Sequence, residues 1–257
     1  MTLRAVPLLE VARRRGYSSV AGSFVLESLD QKVVHVFGDS HSRVFALIRR
    51  KTKSTRISIT TVRGASARGI SNASSESCAR EIFLTSISQI PATQEVAIQL
   101  GEVDCGSLIW RIQDRTGHSL NDLYTESLGR LQKFVGELDR RPVILCGTTP
   151  PTVWDYTKFS GDSNPRFGLT ASWSERAEIT RRWNRDLEHW CSVHGHVFLD
   201  VASFTWKPLG EYLLPEYLPE SASDHHLRVD SFASSLAAGP LPDALSRCNE
   251  FRRTNAR

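Results

Sequence analysis

Five short apolar runs stand out along the chain, and most of them are rich in β-branched residues. They are VVHVF at 33–37, ISITTV at 57–62, VAIQL at 96–100, PVILC at 142–146 and HVFLDV at 196–201. Each run is mostly apolar on both faces, which is typical of central parallel strands covered by helices on both sides. The runs therefore predict five buried strands.

The segments between these runs have helical periodicity instead. Apolar residues recur at three- and four-residue spacing in 119–139 and 174–193. Ser172 and Glu175 precede and open the second of these segments in the pattern of a capping box. Further helices are predicted at 42–51, 74–90 and 228–245, the last of them broken at Gly239–Pro240. Strand alternating with helix predicts an α/β fold with an open parallel sheet and helices on both faces.

Composition narrows the class of protein. The chain has 257 residues, 40% of them hydrophobic and 23% charged, and a net charge of +4. These values predict a folded protein with a sizeable core and exclude a disordered chain. Basic residues cluster near both ends, but aromatic residues do not interleave with them, so nucleic acid is not predicted as a partner.

Neither a membrane span nor a disulfide scaffold is predicted. No apolar stretch reaches the roughly 18 residues that a span needs, and Glu10 interrupts the apolar part of the N-terminus where a signal peptide would have its core. The five cysteines are widely spaced and form no Cys-x-x-Cys pair, which argues against disulfides and against a zinc site. We therefore expect a cytoplasmic protein.

Residues with chemical potential follow the predicted strands. The strands are followed in turn by Asp39 and Ser40, by Gly64 and Ser66, by Glu102 and Asp104, by Thr148 and Thr149, and after the fifth by His225 and His226. Ligands of open parallel sheets bind outside the carboxyl ends of the strands. The sequence therefore predicts one site at this edge.

Ser40 lies in a predicted turn between a strand and a helix. Such a turn can raise the serine hydroxyl above the sheet, next to backbone N–H groups that can bind an oxyanion. A serine nucleophile also needs a base, usually a histidine that is oriented by a carboxylate and supplied by a distant part of the chain. The segment SDHHL at 223–227 contains both groups.

Four segments of the chain resemble, in order, the sequence blocks of the SGNH hydrolases, also called GDSL esterases and lipases. They are VFGDSHS at 36–42, VRGASARG at 62–69, IQLGEVDC at 98–105 and SDHHL at 223–227. The resemblance implies a flavodoxin-like three-layer α/β/α sandwich with a five-stranded parallel sheet. It also implies ester hydrolysis or acyl transfer on glycans, lipids or small esters, with no cofactor.

The resemblance suggests three parts of the chain and a catalytic triad. The parts are an N-terminal extension at 1–31, an SGNH hydrolase-like domain at 32–247 and a basic C-terminal tail at 248–257. By the resemblance, Ser40 is the nucleophile, His226 the base and Asp224 the acid that orients the base. The family has its acid three residues before the histidine, where this chain has Ser223, and His225 stays an alternative base.

The oxyanion site departs from the family pattern. The resemblance assigns the backbone donor to Gly64, or to Ala67 under a stricter alignment. The asparagine of the third block falls on Val103, which has no side-chain donor. Losing one such donor can cost about 2.7–4 kcal/mol of transition-state stabilisation. Glu102 and Asp104 can donate a hydrogen bond only when they are protonated.

Two further features can touch a substrate. His41 and Arg43 follow Ser40 directly, and Arg43 can bind a carboxylate or a phosphate, although both residues are also typical of a solvated first helical turn. The long loop at 150–173 is rich in aromatic residues. It forms either a wall or lid of the substrate site or a segment packed onto the body.

Two other functions compete with a small-molecule or glycan esterase. One is a metallophosphoesterase, because two metal ions could find enough hard ligands in the chain: Asp39, His41, Asp104, His194, His196, Asp224, His225 and His226. The other is a non-catalytic glycan- or nucleotide-binding module, which Val103 favours. The sequence predicts no oligomeric state.

Overall fold

The computed structural model of the chain describes seven stretches. They are residues 32–51, 55–72, 75, 77–138, 142–155, 168–207 and 212–255. The extension predicted at 1–31 lies outside them, as do residues 156–167 of the aromatic loop and the last two residues of the predicted tail.

A parallel sheet of five strands forms the middle of the fold. The strands are β1 (Lys32–Gly38), β2 (Thr55–Thr61), β3 (Glu95–Gln99), β4 (Ile144–Cys146) and β5 (Val197–Leu199). All neighbouring strands pair in parallel, in the order β2-β1-β3-β4-β5. This is the flavodoxin-like order, so the predicted fold class is confirmed.

Helices cover both faces of this sheet. They are α1 (Val44–Lys51), α2 (Ala79–Ile87), α3 (Ile109–Thr116), α4 (Leu120–Gly136), α5 (Trp173–His194), α6 (Val229–Ala238) and α7 (Pro240–Asn255). The capping box predicted for α5 is present, and the predicted break at Gly239 separates α6 from α7. Helix α3, which follows a π-helical turn (Asp104–Leu108), was not predicted.

Each face of the sheet has its own apolar core. On one face Phe83 of α2 and Trp183 of α5 pack in one buried cluster with Ile98 of β3. On the other face Phe45 of α1 and Phe232 of α6 pack in a second cluster with the opposite side chains of the strands. Because successive side chains of a strand point to opposite faces, strands that are apolar at every position are buried on both sides.

The structure corrects the prediction of a basic C-terminal tail at 248–257. Residues 248–255 continue helix α7, where Cys248 is fully buried. Arg252 donates hydrogen bonds to the carbonyl of Thr93 and to the carboxylate of Glu95, both at 2.9 Å. Burial of one face of the helix and pairing of this arginine hold the segment against the domain.

Among the described helices, none is both long enough and apolar enough to cross a bilayer.

The strand order places a switch point between β1 and β3. Helix α1 leaves β1 on one face of the sheet, whereas α3 and α4 follow β3 on the other face. A Cβ atom on Gly38, at the end of β1, would lie 2.5 Å from the carbonyl oxygen of Gln99. Only glycine therefore lets the two strands end this close together, and ligands of such sheets bind at this point.

Candidate active site

Ser40 opens a short 3-10 helix (Ser40–Arg43) directly after β1. The carboxylate of Asp39 accepts the N–H of His41 at 2.8 Å, which caps this helix. The hydroxyl of Ser42 donates to the carbonyl of Asp39 at 2.7 Å and lies 2.8 Å from the hydroxyl of Thr61 at the end of β2. These bonds fix the turn, so that the partly exposed Ser40 side chain stands at the edge of the sheet.

The structure brings Ser40, His226 and Asp224 together in one chain of hydrogen bonds. Oγ of Ser40 lies 3.0 Å from Nε2 of His226, and Nδ1 of His226 lies 2.8 Å from Oδ1 of Asp224. An ionised carboxylate only accepts hydrogen bonds, so the proton of the neutral imidazole belongs on Nδ1. Nε2 is then left to accept the hydroxyl proton of Ser40, which is the arrangement that general-base activation of a serine needs.

The electrostatics around this chain favour a neutral imidazole. Burial lowers the pKa of His226, and the positive charge of His41 lowers it further, while Asp224 opposes both effects. Burial raises the pKa of Asp224, but hydrogen bonds from the backbone and ring of His226 outweigh it, and this pKa lies below its usual value. At neutral pH both pKa shifts favour an uncharged His226 beside an ionised Asp224.

His41 is buried against the segment 223–227, which contains Asp224, His225 and His226. Its Nε2 lies 3.3 Å from the carbonyl oxygen of His225, while its Nδ1 lies 3.0 Å from Asp39 and 3.5 Å from the carboxylate of Glu102. Each ring nitrogen thus has an acceptor oxygen beside it, and a proton on either nitrogen can be donated to one of them. The ring of His41 packs against that of His226, with 4.6 Å between ring centroids.

Asp104 holds the turn that follows β2. Its carboxylate accepts the N–H of Ala67 at 2.7 Å and that of Arg68 at 2.9 Å. Burial raises the pKa of Asp104 to about 6, and these backbone hydrogen bonds oppose the rise. The N–H of Ala67, one of the two predicted oxyanion donors, is thus already donated to Asp104. The other, Gly64, is exposed in the same turn with a φ of 71°.

The remaining predicted contacts differ in their surroundings. Glu102 is buried and paired with His41, so it faces a cation rather than an open cleft. Arg43 is exposed at the end of the short helix. Val103 is half-buried directly before the π-helical turn and contributes no hydrogen-bond donor from its side chain.

The metal ligands predicted for a phosphoesterase do not meet. His194 and His196 lie at the amino end of β5, whereas Asp39 follows the carboxyl end of β1. Two smaller groups of described side chains have ligand atoms within 4.8 Å of one another: His41 with His225 and His226, and Asp39 with His41 and Glu102. Both groups depend on His41, whose two nitrogens already face acceptors in the protein.

Two residues near the site were given no role in the prediction. Thr152 donates its hydroxyl to the carbonyl of Asp224 at 2.8 Å and so joins the segment after β4 to the segment 223–227. Asn184 accepts the N–H of Thr148 at 2.7 Å and donates to its carbonyl at 3.0 Å. Thr148 was predicted as a strand-end residue of the site. In the structure, the side chain of Asn184 occupies both of its backbone hydrogen-bonding groups. The only sequence signal for Thr152 was its position just after a strand.

Comparisons with known proteins identify the fold. No protein-family model and no curated protein sequence matches the chain. Several solved structures do. A predicted acylhydrolase from Bacteroides fragilis NCTC 9343 has a TM-score of 0.55 and 15% identity over 93% of this chain and 96% of that one. A GDSL-like lipase from Bacteroides thetaiotaomicron VPI-5482 has a TM-score of 0.52 and 10% identity over 93% and 97% of the two chains.

A predicted SGNH hydrolase from Slackia heliotrinireducens is similar as well. Its TM-score is 0.51, with 12% identity over 84% of this chain and 99% of that one. The chain has the fold of the SGNH hydrolases. The resemblance predicted from the four sequence blocks is confirmed at the level of the fold, and the similarity spans nearly the whole of each chain.

Proposed function

We propose that the protein is a serine esterase or O-acyltransferase that acts on a small or carbohydrate-linked ester. The observation that carries this proposal is the hydrogen-bond chain from Asp224 through His226 to Ser40, which joins residues 186 positions apart in the sequence. Its order and its distances match what a nucleophile, a base and an orienting acid require.

The reaction runs in two halves through an acyl-enzyme. Oγ of Ser40 attacks the ester carbonyl carbon while Nε2 of His226 takes the hydroxyl proton. The tetrahedral intermediate collapses, the bond to the alcohol oxygen breaks, and His226 gives its proton to that oxygen. Water or an acceptor alcohol then attacks the acyl carbon while His226 takes its proton. The bond between the acyl carbon and Oγ of Ser40 breaks, and His226 returns the proton to that oxygen.

The oxyanion is held by the backbone N–H groups of Ser40 and Gly64. Within the described residues, neither of these groups donates a hydrogen bond. The N–H of Val62 donates to the carbonyl of Gly38 at 2.9 Å, which supports a turn after β2 that runs beside the Ser40 turn. Since Val103 adds no third donor, we expect turnover to be roughly 10²–10³-fold below that of an enzyme with a full set.

Labelling with a fluorophosphonate probe tests the proposal. The wild-type protein should gain one covalent adduct, detected by intact mass and mapped by peptide sequencing to Ser40. The Ser40→Ala variant should gain none and should lose hydrolysis of p-nitrophenyl acetate. Ser88→Ala, which removes an exposed hydroxyl at the end of α2, is the matched control and should be labelled like the wild type.

A folded wild-type protein that is neither labelled nor active would overturn the proposal. It would favour the non-catalytic binding module, which the absence of a donor at Val103 supports. An Ser40→Ala variant that hydrolyses the ester at the wild-type rate would also overturn it, because the nucleophile would then be another group.

A further inference from the structure

A cavity of about 530 Å³ opens beside the catalytic loop. Its walls come from the segment after β4, from the start of α5 and from the segments after β5. Ser221 and Ala222 line it as well, and they precede Asp224 by three and two residues. The cavity thus lies against the same loop that supplies the acid and the base.

Three aromatic side chains form one wall of the cavity. The ring centroids of Trp154 and Trp173 are 4.5 Å apart, and those of Trp154 and Tyr212 are 5.6 Å apart. Trp154 is 55% exposed and Tyr212 is 48% exposed, whereas Trp173 is buried beneath them. Large aromatic surfaces that stay open to solvent in a concave site are typical of ligand pockets.

Hydrogen bonds to the backbone hold this wall in place. Nε1 of Trp173 donates to the carbonyl of Pro151 at 2.8 Å. The guanidinium of Arg176, which is fully buried, donates to the carbonyls of Val153 at 2.7 Å and Trp154 at 3.2 Å. The aromatic surface is therefore preorganised, which lowers the entropy lost when a ligand binds.

The chemistry of the cavity favours a sugar ring. Asp155, Glu220 and Lys207 line it alongside the aromatic wall, so acceptors and a donor for hydroxyl groups stand next to flat apolar surface. A pyranose ring has the matching shape, with an apolar face and a hydroxylated edge. Apolar side chains such as Leu213, Pro215 and Leu218 line the rest of the cavity, and the charged groups among them favour a ligand with hydroxyl groups over a purely apolar chain. Two acidic residues beside one lysine disfavour an anionic ligand.

The position of the cavity indicates which half of the ester it takes. Thr152, another lining residue, donates to the carbonyl of Asp224 at 2.8 Å, so the cavity lies on the side of the acid and the base. His226 gives its proton to the leaving alcohol and takes one from the incoming alcohol, and the alcohol group must therefore lie on the same side. Ser40, whose backbone N–H is a proposed oxyanion donor, is not among the residues that line the cavity.

We propose that this cavity is the alcohol subsite and that it binds the sugar ring of a carbohydrate ester by stacking on Trp154, with Tyr212, whose plane is at 88° to that of Trp154, along the edge of the sugar. The proposal rests on the proposed function. It adds the substrate class, and it assigns specificity to aromatic residues that lie outside the catalytic triad.

A direct binding measurement separates this inference from the catalytic one. The Ser40→Ala variant is mixed with methyl 6-O-acetyl-α-D-glucopyranoside, and saturation transfer from protein to sugar is recorded by NMR. Transfer should be strong to the ring protons and should be lost when Trp154→Ala is added. Absence of transfer from the Ser40→Ala protein would overturn the subsite while leaving esterase activity, measured on the wild type, intact.

A kinetic ratio provides the second arm. In Trp154→Ala, kcat/KM for the sugar acetate should fall about tenfold relative to kcat/KM for ethyl acetate, mainly through KM. Val193→Ala, which removes an equally exposed apolar side chain near the far end of α5, should leave the ratio unchanged. An equal loss on both esters, or a change in preference between acetyl and octanoyl p-nitrophenyl esters instead, would refute an alcohol subsite.

Discussion

Two Asp-x-His segments meet at the site, and they share a local geometry but differ in exposure. In 39–41 the aspartate Oδ1 accepts the histidine N–H at 2.8 Å and lies 3.0 Å from its Nδ1. In 224–226 the same two distances are 3.0 and 2.8 Å. The histidine and aspartate side chains are 3% and 1% exposed in the first segment, and 30% and 46% exposed in the second.

The difference between the segments lies in what the far ring nitrogen meets. Nε2 of His226 faces the hydroxyl of Ser40, whereas Nε2 of His41 faces the carbonyl of His225. Glu102 adds a second carboxylate beside His41. The same local motif therefore places its histidine beside a hydroxyl in one segment and between a carbonyl and two carboxylates in the other, and the two imidazole rings lie with 4.6 Å between their centroids.

Removal of the exposed histidine should have the largest effect on activity. His226→Gln takes away the proton acceptor of Ser40, and kcat/KM for p-nitrophenyl acetate should fall by at least about 10⁴-fold, with the circular dichroism spectrum retained. His225→Gln is the matched control and should lose less than about tenfold. The reverse pattern would make His225 the base, and the Asp-x-His segment 224–226 would then not be the one that activates Ser40.

Neutralising the exposed aspartate should have the next largest effect. In Asp224→Asn the side chain no longer selects the tautomer with the proton on Nδ1, and kcat should fall by about 10²–10³-fold. This is less than for a buried acid, because solvent reaches a half-exposed carboxylate. The free energy of unfolding, measured in urea, should change by no more than about 0.5 kcal/mol. A large loss of stability would instead give this segment the structural role assigned to 39–41.

Removal of the buried histidine should act on stability first. His41→Gln leaves the carboxylates of Asp39 and Glu102 buried without their cation, so the free energy of unfolding should fall by about 3 kcal/mol. Activity should fall only about tenfold, since the proton path from Ser40 is intact. The urea midpoint with an unchanged slope gives the first number, and steady-state kinetics of the folded fraction give the second. A stable but inactive variant would indicate that His41 takes part in the chemistry.

The smallest effect is expected in the pH profile. Burial and the charge of His41 lower the pKa of His226, and the base must be neutral to work. The acid limb of kcat/KM should therefore lie below the ordinary histidine value of about 6.5. Because His41→Gln removes a positive charge that disfavours protonation of His226, the limb should move to higher pH in that variant. A limb that does not move would contradict this expectation, because an uncharged His41 would exert no such effect on His226.

Most of the fold was predictable from the chain itself. Runs such as 33–37 and 96–100 are apolar at every position but one, which is typical of a strand buried on both faces. The turn at Gly38 and the capping box at Ser172 likewise depend only on residues that are close together in the sequence. The end of the chain was not predictable in this way, because helix α7 is held by contacts of Arg252 with residues 93–95, more than 150 positions away.

The sequence alone determined the alternation of strands and helices, the serine at the end of β1 and the presence of an acid and two histidines late in the chain. These features depend on the period of apolar residues and on local motifs, which can be read along the chain. Only the tertiary structure decided which Asp-x-His segment serves Ser40, and that Ala67 already donates its N–H to Asp104. The physical reason is that the two segments are alike locally and differ only in the groups that distant parts of the chain bring to their far side.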